Sequence, residues 1–133
     1  MNDIATRLIK AAIDVAARAY APYSKFHVGA ALLMESGDIV TGCNVENASY
    51  GLTICAERNA VFAAVARNLK GIKAVAIVAD GKSIAFPCGA CRQVLNEFCA
   101  PETPIYVASI SNPSVYQSLT MGELLPHSFK FVD

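Results

Sequence analysis

The sequence predicts one α/β domain in three layers, with helices on both faces of a mixed sheet. Helical and extended stretches alternate along the chain, which points to a sheet covered by helices. The run "IKAVAIVAD", residues 72–80, is almost continuously apolar and rich in β-branched residues, as in a strand buried on both faces. Of the 133 residues, 54% are hydrophobic, enough to build the core of a single domain, here residues 1–133.

Ile4, Leu8, Ala12, Val15 and Ala19 recur at helical spacing, with Asn2 or Asp3 as cap, and predict a helix running to about Tyr20. Pro22 ends it. Phe26–Met34 and Ile39–Val45 read as strands joined by the turn "ESGD", an antiparallel hairpin. After the polar loop "ENASYGLT", the stretch "ICAERNAVFAAVARNL" predicts a helix closed by Gly71. A helix is expected from near Cys88 to Ala100, stopped by Pro101, and "TPIYVASI" reads as another strand. Thr120 and Glu123 form a capping-box pattern for a short helix ending at Pro126, and "FKFVD" is a tail.

Eleven basic and eleven acidic side chains balance, and no Lys/Arg-rich run occurs. Nucleic acid and an acidic membrane surface are therefore disfavoured as partners. The apolar runs fall far short of the roughly 20 residues of a membrane span, and "MNDIATRLIK" reads as a helix start, not a signal peptide. A cytoplasmic protein is expected. The mean hydropathy of +0.39 is high for a small monomer, so the surplus apolar surface is expected to meet other copies of the chain.

The five cysteines are odd in number, and without a secretion signal they suit metal binding or catalysis better than disulfides. "P-C-G-A-C-R-Q", Pro87 to Gln93, is by itself a redox pair, a structural metal clip or half of a catalytic site. Cys55, at the predicted start of another helix, offers a third thiolate. Thiolates at helix N-termini are stabilised by free N–H groups and the helix dipole. Arg58 and Arg92 are candidate cations to offset the net charge of three thiolates on Zn²⁺. His27 and His127 suit surface or packing positions better than ligation. Glu57 lies two residues beyond Cys55, so both can face one metal only if Cys55 is the helix cap. Three ligands plus an adjacent carboxylate is the layout of hydrolytic zinc.

Cys55-Ala56-Glu57 and Pro87-Cys88-Gly89-Ala90-Cys91 match a zinc-deaminase signature. With "YSKFHVGAAL", "GCNVENASYG", "TICAERNAVFAAV", "FPCGACRQVLNEF" and "ELLPHSF", the chain resembles the small homotetrameric cytidine deaminases over nearly its whole length. That resemblance implies a sheet of about five strands and one zinc ion per subunit, held by Cys55, Cys88 and Cys91, with Glu57 as proton shuttle. It implies that Phe26 packs on the pyrimidine ring, that Asn44 and Glu46 bond the ribose 3′-hydroxyl, and that Ala56 lies with the substrate-binding residues. Arg58 and Gln93 would hydrogen-bond the ligand sulfurs. Tyr50 and Phe129 would reach a neighbouring subunit's site in the tetramer.

From the residues alone, Phe26 reads as a core strand residue, Asn44 and Glu46 as a solvated strand end, Tyr50 and Phe129 as surface packing, and Arg58 as an exposed helix charge. Cys43 and Cys99 match no ligand position and read as small apolar residues. The implied activity is hydrolytic deamination of cytidine and 2′-deoxycytidine, in pyrimidine salvage. The alternatives are a deaminase of a related nucleoside such as blasticidin S, or a structural zinc or redox protein.

Overall fold

A computed structural model describes residues 3–131 of the chain. The elements are α1 (Asp3–Ala16), β1 (Val28–Met34), β2 (Ile39–Cys43), α2 (Ala56–Ala66), β3 (Ile72–Ala79), α3 (Gly89–Phe98), β4 (Pro104–Ser109), β5 (Asn112–Thr120) and α4 (Met121–Leu124). They form the expected three layers around a mixed sheet of order β2-β1-β3-β4-β5, in which β3 and β4 are parallel and the other pairs antiparallel.

The pleat sorts the central strands by parity. Ala30, Leu32, Val75, Ile77, Ile105 and Val107 pack with α2, α3 and α4. Ala31, Leu33, Ala74, Ala76, Val78 and Ala108 pack with α1 on the other face. Two glycines let helices come close. A Cβ on Gly29 would lie 1.9 Å from the Ala12 carbonyl oxygen of α1, and one on Gly42 would lie 2.4 Å from the Ala60 nitrogen of α2. Gly42 thereby presses the helix that begins at Cys55 against the sheet.

The structure corrects several boundaries. The first helix stops at Ala16 rather than about Tyr20, because Tyr20 is used elsewhere. Its N–H donates to the Asn44 carbonyl at 3.0 Å, and its carbonyl accepts from the Glu46 N–H at 2.8 Å. Of the two candidate caps, Asn2 lies outside the described residues. The hairpin strands are shorter than expected, starting at Val28 and ending at Cys43.

The second helix is closed by Asn68, with φ 59°, rather than by Gly71. Asn68 N–H donates to the Val65 carbonyl and Leu69 N–H to the Ala64 carbonyl, a Schellman closure with asparagine in the left-handed position. The fifth strand, β5, was not assigned to these residues from the sequence. It is an exposed edge strand beginning beside Pro113 and lacks an alternating buried face. The capping box at Thr120 and Glu123 is present as expected, and α4 ends at Leu124, before Pro126.

Candidate functional site

Cys55 and Cys88 occupy the N-caps of α2 and α3 in extended conformation, with ψ of 156° and 168°. Cys55 thus stands outside helical geometry, which lets its sulfur and the Glu57 carboxylate share one side of the helix start. Cys91 follows in the first turn of α3 and is fully buried. The three Sγ atoms all lie within 4.8 Å of one another, with Cys88 and Cys91 sulfurs 3.4 Å apart. Cys43 and Cys99 lie outside this cluster. Burial raises the pKa of both thiols, that of Cys99 to about 12, as suits neutral apolar side chains.

A soft, compact set of three sulfurs at helix N-termini fits Zn²⁺. Arg58 Nη2 donates to Cys55 Sγ at 3.3 Å. A hydrogen bond from Cys91, followed by the contact with Arg58, holds the Cys55 thiol well below the ordinary thiol range. The same pairing, with burial, pushes Cys91 up. Arg58 Nε is buried and has no hydrogen-bond partner among the described residues.

Glu57 is 4% exposed. Burial raises its pKa above the ordinary carboxylate value, and the adjacent Cys55 charge adds to the effect. A carboxyl whose charged form is disfavoured by burial is suited both to accept and to return a proton.

Phe26, Asn44 and Glu46 are linked to the segment that carries Cys55 through backbone and side-chain pairings. Val45 exchanges two 3.0 Å hydrogen bonds with Ile54, the residue before Cys55. Asn44, on one side of Val45, is buried. Its Nδ2 donates to the Phe26 carbonyl at 2.8 Å and its Oδ1 accepts from Val28 N–H at 2.9 Å. Glu46, on the other side, accepts from the Tyr23 and Ser24 N–H groups at 3.0 and 3.1 Å, and from the Ser24 hydroxyl. The Phe26 ring is 40% exposed rather than in the core.

Tyr50 and Phe129 are 75% and 71% exposed; Tyr23 meets Tyr50 edge-on with ring centres 6.1 Å apart. Ala56, the first residue of α2, is buried. Gln93 lies exposed on α3, whereas Arg58 places a guanidinium donor on the Cys55 sulfur. Arg92 does not face the sulfurs as a tuning charge: its Nε donates to the Pro87 carbonyl at 2.7 Å and its Nη1 to the Leu124 carbonyl at 2.9 Å.

Ser24 and Asn59 were missed in the sequence. Ser24 braces Glu46 and also accepts from the Phe26 N–H at 3.0 Å. Asn59 Nδ2 donates to the Cys43 carbonyl at 2.8 Å, tying α2 to the end of β2. The "P-Y-S-K" turn signal hinted at Ser24. Nothing local marked Asn59.

Fold and site together define an α/β protein with a three-cysteine cluster suited to zinc and a buried carboxylate, Glu57, at the helix start that carries Cys55. Residues 3–107 match the family described as the cytidine and deoxycytidylate deaminase zinc-binding region, and the chain belongs to that family. It is 49% identical over 126 residues to a cytidine deaminase of Halalkalibacterium halodurans, covering 95% of this chain and 94% of the relative. The crystal structure of a cytidine deaminase from Burkholderia pseudomallei is similar at TM-score 0.88 and 42% identity, covering 97% of this chain and all of that one. That of the Mycobacterium tuberculosis cytidine deaminase is similar at TM-score 0.83 and 42% identity, covering 98% and 100%.

Proposed function

We propose that this chain is a zinc-dependent hydrolase that converts cytidine and 2′-deoxycytidine to uridine and 2′-deoxyuridine with release of ammonia. The observation that carries the reading is the convergence of Cys55, Cys88 and Cys91 beside the buried Glu57. Cys55, Cys88 and Cys91 would hold the zinc ion, which when bound supplies a Lewis acid and a water of lowered pKa. Glu57 would take one proton from the attacking water and deliver it to ring N3 as the water oxygen bonds to C4. It then carries the second proton to the amino group, which leaves as ammonia. One carboxylate, desolvated by its burial, serves as base and then as acid.

Phe26 packs on the base, and Asn44 and Glu46 receive the ribose 3′-hydroxyl. Asn44 can serve both its main-chain partners and a ligand, because its amide oxygen and nitrogen each have a second hydrogen-bonding position. An ionised Glu46 on that side repels a 3′-phosphate, favouring a free 3′-hydroxyl over a 3′-phosphorylated or polynucleotide substrate. Ala56 lies with the substrate-binding residues, and Gln93 joins Arg58 in bonding the sulfurs.

The site is completed in a homotetramer, where Tyr50 and Phe129 enter a neighbouring site. Phe62 and Val65 on α2, with Tyr50, Leu52 and Phe129, are large apolar side chains left more than half exposed; a helix apolar on two sides seeks a second partner. The balanced net charge and the small nucleoside substrate suit a single-domain enzyme of cytoplasmic pyrimidine salvage.

Incubating the zinc-loaded protein with cytidine tests the reading: uridine and ammonia should appear in equal amounts. A protein that binds zinc stoichiometrically but leaves cytidine intact would refute it.

A further inference from the structure

Helix α3 carries, one turn apart, two side chains that the reaction does not use and that point to the same neighbour. Arg92 donates at once to the Pro87 carbonyl, next to the ligand Cys88, and to the Leu124 carbonyl at the end of α4. Asn96, 5% exposed, donates from Nδ2 to Ser128 Oγ at 3.1 Å. Residues four apart on a helix lie on one face, so a single edge of α3 grips both ends of segment 124–128. His127, at φ 52°, turns the chain between the two grips.

Upstream, the segment is anchored by the Thr120–Glu123 capping box. The next residue after Ser128 is the exposed Phe129. An aromatic ring projecting from a pinned backbone loses less conformational freedom when it is received elsewhere.

We propose that Arg92 and Asn96 are positioning residues that present Phe129 to the neighbouring subunit's nucleoside site, and that Arg92 ties this presentation to the Cys88 loop. The inference rests on the reading that Phe129 contacts a neighbour's substrate. Arg92 suits the task because its planar fork can serve two carbonyls, which the single ammonium of a lysine meets less well.

The test is a double-mutant cycle on the zinc-loaded enzyme, comparing Ser128→Ala, Phe129→Ala and the double variant. Zinc content and sedimentation mass are measured on each. Ser128→Ala should raise KM for cytidine about threefold to tenfold, the scale of one lost hydrogen bond, with kcat, zinc and mass unchanged. Ser128→Thr, which keeps the hydroxyl, should restore KM. The double variant should be no worse than Phe129→Ala, because Ser128 acts only through that ring. Arg92→Lys should shift KM in the same direction.

If Phe129→Ala raises KM but Ser128→Ala does not, or if the two effects multiply, the positioning role fails while the shared site stands. If Phe129→Ala leaves KM unchanged, the shared site itself is wrong and the inference falls with it. Loss of zinc or dissociation of subunits in Ser128→Ala would also overturn it, since segment 124–128 would then be a structural brace.

Discussion

Glu46 is committed to the protein before any ligand arrives. Hydrogen bonds to its carboxylate, chiefly from the Ser24 hydroxyl and then from the Ser24 and Tyr23 N–H groups, hold its pKa below the ordinary value. The turn that places Phe26 is thus organised by the residue proposed to meet the ribose. Because the folded value is lowered, the carboxylate's support of the turn is present above the ordinary carboxylate range. It fades as pH falls through the lowered value. Ser24→Ala should raise the Glu46 midpoint toward 4.5, as followed by carbon NMR of the side-chain carboxyl. An unmoved midpoint would show that the hydroxyl is not the cause. Glu57 is shifted the opposite way by burial, so their surroundings move two glutamates eleven positions apart in opposite directions.

At the scale of elements, the placement of the sulfurs depends on how closely α2 approaches β2. A methyl at Gly42 meets the Ala60 nitrogen and the Ala56 carbonyl oxygen at 2.4 and 2.7 Å, backbone atoms that cannot swing aside. Gly42→Ala and Gly29→Ala should each cost about 1–3 kcal/mol, the usual cost of overpacking. Gly42→Ala alone should also speed zinc loss to a chelator, because Gly29 touches α1, which carries no ligand. Thermal unfolding and zinc release measured on both variants check this; equal zinc loss from both would contradict it.

Local signals carried much of the element order. The hairpin, the β3 core strand, the Thr120–Glu123 cap and the cap position of Cys55 were readable because their cues lie within a few residues. Long-range pairings were not readable. Tyr20 leaves its helix for Asn44 and Glu46, and β5 lacks the buried face that makes a strand visible. Asn68 replaced Gly71 as helix closer because asparagine also tolerates the left-handed region. In the site, residue types at fixed spacing revealed the sulfurs and Glu57. The supports Ser24, Asn59 and Asn96 act across the fold and have no spacing to betray them.

The whole molecule presents more apolar side chains than a small monomer needs to expose, among them Phe62 and Val65 on the outer side of α2. The proposed tetramer would bury them and would account for Tyr50 and Phe129 standing away from their own chain's core. Val65→Asp puts an unpaired carboxylate into that interface and should dissociate the subunits, with kcat/KM falling about tenfold or more. Sedimentation and steady-state kinetics read both effects; an associated, fully active variant would rule out this face.

The proposed reaction depends on zinc held by three cysteines and on one buried carboxylate, Glu57, that moves protons. Its most direct measurement compares zinc-loaded wild type with Glu57→Gln on cytidine, with zinc content determined for both. Glu57→Gln should retain its zinc and its fold yet turn over at least about a hundredfold more slowly. Full zinc occupancy with substantial remaining turnover would contradict the role given to Glu57.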